Sequence, residues 1–286
     1  MEARFSLDHL TVLECTPPEL VHVAADAGYD CVGLRTMPLG IPGEPDCEIA
    51  HDPVLMRRTR EALAATGLPV SDIELVRVVP SMDPRSYEAG FAAGAEIGAR
   101  DVTASIWTAD GPYAREMFEQ LCEIARPYGL RLNLEFVAIA EIRTLREALA
   151  FLRSVEARNV GVVVDTYHFY RAGAALEELA DIPPEWLHFC QLCDAPAAVP
   201  ASADELRDEV RDRRLYLGEG AIDVAEIVAR MPETIYALEI PNLARLASLG
   251  PAGYASTCLQ RARRYFAEHG RRSAAGSGLP GLGARP

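Results

Sequence analysis

The feature that most constrains the fold is a regular alternation of short β-branched runs with longer amphipathic stretches along the chain. Such runs predict strands, and apolar residues spaced three and four apart predict helices. The eight predicted strands are Phe5–Val12, Cys31–Arg35, Pro69–Val78, Asp101–Trp107, Arg131–Phe136, Val160–Asp165, Trp186–Leu192 and Thr234–Ile240. The eight predicted helices lie near Pro18–Ala27, Pro53–Ala65, Ser86–Ile97, Pro112–Pro127, Ile142–Glu156, Ala174–Leu179, Val224–Met231 and Gly253–His269. Eight β-then-α units predict an α/β protein with a closed (β/α)₈ TIM barrel, and an open doubly wound sheet is the competing arrangement.

The length of 286 residues suits one such barrel, because α/β barrels reach about 250 residues as a single domain. We therefore predict one domain over residues 1–270. Residues 271–286 are rich in Gly, Pro and Arg and offer little apolar surface to bury, so we predict a disordered tail there.

The charge and hydropathy of the chain argue against several classes of partner. A formal net charge of −14 repels phosphate backbones, so we expect no nucleic acid partner. The sequence has no run of about 18 apolar residues and no basic-then-apolar leader, so we expect a cytoplasmic protein without membrane association. A homo-oligomer is compatible with these features.

Four consecutive predicted strands end in polar residues. Strands five to eight end near Glu135, Asp165, Gln191 and Glu239. In a (β/α)₈ barrel the active site lies at the carboxyl ends of the strands, so these side chains are expected to converge. Three converging carboxylates repel one another unless they share a cation. The four residues therefore predict a site for one divalent metal ion; oxygen ligands favour Mn²⁺ or Mg²⁺, with Co²⁺ or Zn²⁺ as further options.

The Cys-x-x-Cys at Cys190 and Cys193 is the other motif with metal-ligand spacing. Residues three apart on a strand face opposite sides, so the two thiols are not expected to share a metal. His188 is also three residues from Gln191, and we expect it at a strand start or facing a helix. The seven cysteines are an odd number in a chain without a leader, and we predict no disulfide framework.

At these residues the chain resembles the xylose isomerase-like TIM barrel superfamily, which contains sugar phosphate isomerases and epimerases with inosose and dehydroshikimate dehydratase relatives. The resemblance covers roughly residues 5 to 269. Its marks are the sequences "DTYH" from Asp165, "QLCD" from Gln191, "RRLYLGEG" from Arg213 and "EIP" from Glu239. It implies that Glu135, Asp165, Gln191 and Glu239 are the metal ligands.

Two positions depart from the pattern of this superfamily. Gln191 stands where the ketose epimerases have His, and the dehydroshikimate dehydratases are similar to this chain in using Gln there. Leu217 stands where an Arg-x-Pro-Gly motif has Pro, which leaves open whether Arg213 or Arg214 enters the site.

The resemblance also implies catalytic roles. Glu135 and Glu239 are expected to serve both as ligands and as general bases that remove a proton next to a metal-bound carbonyl. His168, three residues after Asp165, is expected to be the acid that returns a proton or assists a leaving hydroxyl.

Further polar and aromatic residues near strand ends are candidates for binding the substrate. Arginines in such positions can clamp a carboxylate, a phosphate or hydroxyl groups. These candidates are Arg35, Glu74, Arg77, Trp107 and Arg214, with His9 as a weaker one.

The sequence thus predicts a metal-dependent isomerase or epimerase of a small polyhydroxylated ketone: a keto sugar, a sugar phosphate or a cyclitol. The alternative is a lyase that dehydrates an inosose or a dehydroshikimate-like acid, or β-eliminates a keto-sugar derivative. Two further hypotheses lie outside these classes: a non-catalytic sugar-binding barrel and a relative of the nucleases. The acidic charge and the six histidines disfavour the nuclease.

Overall fold

Eight parallel strands close into one barrel in the computed structural model, which describes residues 3–39, 45 and 47–269. The strands pair in chain order, and β8 closes the barrel against β1. They are β1 Arg4–Leu7, β2 Cys31–Arg35, β3 Val70–Val78, β4 Asp101–Ile106, β5 Arg131–Glu135, β6 Val160–Asp165, β7 Phe189–Leu192 and β8 Ile235–Leu238. The predicted TIM barrel is confirmed, and the tail predicted at 271–286 lies outside the described residues.

Nine α-helices surround the described part of the barrel. They are α1 Pro17–Ala27, α2 Pro53–Thr66, α3 Glu88–Glu96, α4 Gly111–Ala125, α5 Leu145–Ser154, α6 Thr166–Arg171, α7 Ala203–Asp212, α8 Val224–Ala229 and α9 Leu243–His269. Short 3₁₀ helices lie at His9–Val12, Pro84–Tyr87, Arg126–Tyr128, Leu176–Asp181 and Pro184–Trp186. None of the described helices is both long and apolar enough to cross a membrane.

Helix α5 illustrates why these segments are helical. Thr144 caps its first turn by accepting from the backbone N–H of Glu147, whose carboxylate accepts from the backbone N–H of Thr144 in return. This reciprocal pair satisfies backbone donors that have no partner within the helix. The buried residues then recur at helical spacing, so one face packs on the barrel; they are Leu145, Ala148, Leu149 and Leu152.

Two predicted elements differ clearly from those found, and one helix was not predicted. Strand β1 ends at Leu7 rather than Val12, because the Asp8 carboxylate accepts from the backbone N–H of Leu10 and starts a 3₁₀ helix. The sixth predicted helix, Ala174–Leu179, falls on the 3₁₀ helix Leu176–Asp181, whereas α6 begins directly after β6. Helix α7 was not predicted.

The upper interior of the barrel holds the polar strand ends. Val163, Phe189 and Ala237 form a small buried apolar cluster separate from the main core. Side chains alternate along a strand, so the residue two positions later faces the same way. Asp165, Gln191 and Glu239 therefore stand directly above this cluster, at the carboxyl ends of the strands.

Candidate active site

A cavity of about 410 Å³ opens at the carboxyl ends of the strands. The predicted residues that line it are Arg35, Glu74, Arg77, Trp107, Glu135, His168, Gln191, Arg214 and Glu239. Asp165 is fully buried beside this lining. The structure thus brings together the four predicted metal ligands, His168 and the five main candidates for substrate binding, whereas the weaker candidate His9 does not line the cavity.

Arg214 joins two of the predicted ligands. Its Nη1 donates to Asp165 Oδ2 at 2.7 Å and to Glu239 Oε2 at 2.6 Å, and its Nε donates to the carbonyl of Val210. Arg214 is buried, whereas Arg213 is exposed, so Arg214 is the arginine that enters the site. The sequence predicted that the converging carboxylates share a cation. The guanidinium of Arg214 supplies part of that positive charge.

The three carboxyl groups differ in how their environment shifts their pKa. Burial, followed by repulsion from Glu239 and Asp165, raises the pKa of Glu135 well above its usual range. Burial likewise raises the pKa of Glu239, against the attraction of Arg214. Burial alone would raise the pKa of Asp165 too, but attraction to Arg214, with further contributions from neighbouring side chains, leaves that pKa below its ordinary value. The surroundings thus favour the anion of Asp165, whereas burial favours the protonated forms of the two glutamates.

His168 is neutral and its tautomer follows from one contact. Its Nδ1 accepts from the backbone N–H of Ala138 at 3.2 Å, so in the neutral ring the proton lies on Nε2. Burial lowers the pKa of His168 to about 4. Nε2 lies 3.6 Å from Glu135 Oε1 and 3.7 Å from Asp165 Oδ2. A protonated Nε2 cannot ligate a metal, so His168 is placed to act as a hydrogen-bond donor.

Gln191 is held from one side only. Its Nε2 donates to Asp8 Oδ2 at 3.3 Å, and its Oε1 is buried without a hydrogen-bond partner. A buried acceptor without a partner is costly unless a ligand completes it. Asp8, also fully buried, is a site residue that the sequence argument missed. Asp8 directly follows the strand "RFSL". Because the sequence predicted a strand that continues to Val12, Asp8 was not recognised as a residue at a strand end.

These groups fit a divalent cation. Candidate ligand oxygens of Glu135 and Asp165 lie within 4.8 Å of each other, beside His168. Glu239 is tied to Asp165 through Arg214. With the orphaned oxygen of Gln191, the donor set consists of carboxylate and amide oxygens, which hard divalent ions prefer.

The remaining wall of the cavity carries the other predicted residues in two pairs. Arg35 Nη2 lies 3.4 Å from Glu74 Oε2, and both side chains are buried. The Arg77 guanidinium lies 4.0 Å over the ring of Trp107. His9, in contrast, is fully buried away from the lining: its Nδ1 accepts from the backbone N–H of Arg35, and its Nε2 lies 2.8 Å from the carbonyl of Cys15. His9 therefore has a structural role.

The motif that contains the two cysteines organises the loop before α8. Asp194 accepts from the backbone N–H groups of Ala195, Gly218, Gly220 and Ile222. A Cβ at Gly220 would lie 2.1 Å from the carbonyl of Ala195, so only glycine fits there. Asp194 thereby fixes the segment that carries Arg214.

The cysteines themselves are buried thiols. Cys190 packs in the main core, and Arg214 Nη1 lies 3.6 Å from the sulfur of Cys193. Among the described residues, the detected group of possible metal ligands contains neither of them. His188 lies just before β7, where its Nδ1 is 2.7 Å from Asn133 Oδ1, at the end of the barrel opposite the carboxylates.

Helix α7 supplies a wall that the sequence argument lacked. Val210, Arg211 and Asp212 line the cavity from its last turn. The signal was Ser202, whose side chain accepts from the backbone N–H of Glu205, followed by acidic residues in the first turn. The helix is too polar for its apolar periodicity to reveal it.

Comparisons with known proteins agree with this architecture. A family model described as "Xylose isomerase-like TIM barrel" matches residues 21–249. Among solved structures, the IolI protein with a bound zinc atom superposes with a TM-score of 0.75 at 16% identity, covering 96% of this chain and 100% of that chain. D-allulose 3-epimerase from Methylomonas sp. superposes with a TM-score of 0.67 at 16% identity, covering 92% of this chain and 98% of that chain. Likeness at such identity concerns the fold.

Curated relatives match over a shorter stretch. The inosose isomerase of Bacillus licheniformis is 34% identical over 111 residues, 38% of this chain and 38% of that protein. The 3-dehydroshikimate dehydratase of Pseudomonas aeruginosa is 30% identical over 111 residues, 38% of this chain and 17% of that protein. The match therefore spans less than half the length of these relatives.

Proposed function

The chain belongs to the family of xylose isomerase-like TIM barrels, and from this premise we propose that it is a metal-dependent isomerase or epimerase of a polyhydroxylated ketone. The substrate class is a keto sugar, a sugar phosphate or a cyclitol such as an inosose, the compound in the name of one relative. The observation that carries the proposal is the buried cluster at the carboxyl ends of the strands, where Arg214 pairs with Asp165 and Glu239 and Gln191 Oε1 has no hydrogen-bond partner among the described residues.

We infer that Glu135, Asp165, Gln191 and Glu239 hold the metal ion. Their oxygen donors favour Mn²⁺ or Mg²⁺, and Co²⁺ or Zn²⁺ is the alternative. A bound divalent ion would polarise a substrate carbonyl and stabilise the negative charge that develops on its oxygen. The zinc atom in the IolI structure is consistent with this inference.

The two glutamates move the proton. One of them removes a hydrogen as a proton from the carbon next to the carbonyl, and the C–H electron pair moves toward the carbonyl to form an enolate. Return of a proton to a carbon of the enolate gives the epimer or the isomer. Each carboxyl group has two oxygens, and an oxygen that does not bind the metal can hold the proton between these two steps.

His168 and Asp165 prepare the site for this chemistry. The Nε2–H of His168, beside Glu135, donates a hydrogen bond to a substrate oxygen, and the ring stays neutral. Asp165 is fixed by Arg214 and by the backbone N–H of Tyr167 at 2.7 Å, so it stays in place as the proton moves. The closed barrel beneath keeps water from the back of the site.

A dehydratase is the second candidate function, and Gln191 favours it. The neutral amide replaces a titratable imidazole, so His168 is left as the imidazole beside the carboxylates. A hydrogen-bond donor of this kind suits a leaving hydroxyl on the carbon β to the carbonyl. The glutamate that removed the proton passes it to this hydroxyl, which leaves as water as the enolate forms an alkene conjugated with the carbonyl. The match to a 3-dehydroshikimate dehydratase supports the same candidate.

One experiment separates these functions. The full chain, loaded with Mn²⁺, is incubated in deuterium oxide with an inosose, a ketohexose and 3-dehydroshikimate, and proton NMR follows each ketone. If the chain is an isomerase or epimerase, deuterium should appear next to the carbonyl together with an isomeric ketone. If it is a dehydratase, an unsaturated product should form by loss of water. A barrel that only binds sugars gives neither exchange nor product, and this result contradicts the proposal.

A further inference from the structure

Four arginine side chains line the cavity, and only two of them are paired with carboxylates. Arg35 and Arg214 make ion pairs with buried glutamate and aspartate side chains. Arg77 and Arg211 have no carboxylate oxygen of the described residues within 4.0 Å of their guanidinium nitrogens. Arg77 and Arg211 are therefore the two arginines of the cavity lining that form no ion pair with the described residues.

The position of Arg77 is fixed by neighbouring side chains. Its guanidinium lies over Trp107, whose Nε1 donates to Ser105 Oγ at 2.8 Å and so fixes the ring. The hydroxyl of Tyr87 accepts from the backbone N–H of Arg77 at 3.2 Å and anchors the main chain. Within this frame the Nε–H of Arg77 is buried and has no hydrogen-bond acceptor among the described residues. A buried donor without a partner costs free energy, which a ligand oxygen would recover.

Arg211 brings a second positive charge to the same opening from the last turn of α7. That helix is anchored by buried Glu209, whose Oε1 accepts from the hydroxyl of Tyr167 and from Nε of Arg171, both at 2.8 Å. Burial, followed by repulsion from Arg211, lowers the pKa of Arg77. The two guanidinium groups therefore repel each other across the cavity, and an anion between them would relieve this repulsion.

Two acidic residues also lie at this opening. Glu14 and Asp212 line the cavity, and neither forms an ion pair with Arg77 or Arg211 within 4.0 Å. They leave the charges of both arginines available to a ligand.

We propose that Arg77 and Arg211 bind an anionic group of the substrate, a carboxylate or a phosphate ester. This proposal rests on the proposed function, since it assigns the carbonyl of the ketone to the carboxylate side of the cavity and the anionic group to the Trp107 side. A planar guanidinium offers two parallel N–H donors to two oxygens of such a group. The substrate is thus an acidic polyhydroxylated ketone rather than a neutral sugar or cyclitol.

Binding of matched ligand pairs tests the proposal without requiring turnover. Isothermal titration calorimetry with the Mn²⁺-loaded full chain compares shikimate with methyl shikimate, and fructose 6-phosphate with fructose. The charged member of one pair should bind about 10- to 100-fold more tightly, the gain typical of a charge-assisted hydrogen bond. An advantage in the first pair identifies a carboxylate, and one in the second pair identifies a phosphate ester.

Variants locate the anion. Arg77→Gln should remove most of the advantage of the charged ligand, and Arg211→Gln should reduce it. Arg207→Gln, which removes an exposed arginine from the same helix, is the matched control and should leave the ratio unchanged. Equal binding within both pairs by the wild-type chain overturns the proposal. An advantage that survives in Arg77→Gln also overturns it, because the anion then binds elsewhere, such as at the metal.

Discussion

At the scale of single residues, the site depends on two side chains that lie beside the proposed ligands without being ligands themselves. His168 directs an N–H toward Glu135 and Asp165, and Asp8 accepts from the amide nitrogen of Gln191. Each contact fixes which atom faces the cavity. Residues that orient ligands in this way tune both the affinity for a metal and the basicity of the site.

Replacement of His168 by Gln should separate proton donation from metal binding. We expect His168→Gln to retain its metal content while kcat falls about 10²- to 10⁴-fold, the range for loss of a general acid or base. Exchange of the substrate hydrogen with deuterium oxide should persist, because a glutamate removes that proton. His22→Gln, at an exposed position on α1, is the control.

Two results would revise this role. Loss of bound metal in His168→Gln would make His168 a ligand. Loss of hydrogen exchange in parallel with turnover would make it the base and leave the glutamates as ligands only.

Replacement of Asp8 should weaken metal binding although Asp8 is not a proposed ligand. In Asp8→Asn the new amide can present either its oxygen or its nitrogen to Gln191, so Oε1 of Gln191 is no longer directed at the carboxylates. Mn²⁺ affinity, measured by competition with a chelator, should fall about 10- to 100-fold. Asp83→Asn is a matched control, because Asp83 caps a 3₁₀ helix as Asp8 does. Unchanged Mn²⁺ affinity would show that Gln191 is oriented without Asp8.

The sequence supports the convergence of the site residues but not these contacts. Polar residues at consecutive strand ends must meet at one end of a barrel, so Glu135, Asp165, Gln191 and Glu239 were predictable as a group. The bridge of Arg214 between Asp165 and Glu239 was not, because it depends on the path of the loop that Asp194 fixes. The place of Asp8 was hidden because a capping carboxylate and a residue within a strand look alike in the sequence.

At the scale of secondary structure elements, neighbouring strands accommodate buried polar groups in the barrel. Gly33 on β2 pairs with Asp72 on β3, and a Cβ at Gly33 would lie 3.0 Å from Asp72 Oδ1. The missing side chain makes room for the buried carboxyl group, which also accepts from Ser71 Oγ at 2.7 Å. Sequence periodicity locates both strands, but it cannot show which glycine faces which acid.

Asp72 gives a pH dependence of stability with a defined sign. Burial, followed by repulsion from Asp8, raises the pKa of Asp72 to about 8, whereas an unfolded-state Asp has a pKa of about 4. The folded state therefore binds more protons between these values, so this stabilising contribution is complete below about pH 4 and is lost as pH rises to about 8. Asp72→Asn mimics the protonated acid and should remove this loss, up to about 1.4 kcal/mol per pH unit.

Denaturant unfolding at a series of pH values from 4 to 9 measures the effect of Asp72→Asn. The free energy of unfolding of the variant should rise relative to wild type as pH increases toward about 8. Asp26→Asn, at an exposed position on α1, controls for the change in net charge. A constant difference between Asp72→Asn and wild type across this range would contradict a buried, protonated Asp72.

Helix α7 marks the limit of prediction at this scale. Its sequence, "ADELRDEVRD", has too few apolar residues to show a core-facing stripe. It is held instead by polar contacts, through Glu209 with Arg171 and Tyr167. Such contacts depend on tertiary structure, so the residues that α7 adds to the cavity, Val210, Arg211 and Asp212, emerge only from the fold.

At the scale of the whole molecule, the barrel concentrates charge in a way that composition does not reveal. The chain carries a formal net charge of −14. Among the described residues, its cavity is lined by four arginines together with five acidic residues, Glu14, Glu74, Glu135, Asp212 and Glu239. Eight repeated units made the closed barrel predictable, and the barrel made the location of the site predictable. The balance of charge within the cavity depends on which side chains pair, and only the assembled molecule determines that.

The most direct test of the account is anomalous scattering from a crystal of the full chain grown with Mn²⁺. We expect one strong peak at the carboxyl end of the barrel, with oxygens of Glu135, Asp165, Gln191 and Glu239 about 2.0 to 2.4 Å from it. In the same map, Arg214 should keep its bonds to the outer oxygens of Asp165 and Glu239. A peak elsewhere, or Arg214 alone between these carboxylates at saturating Mn²⁺, would contradict the proposed metal site and the reaction that depends on it.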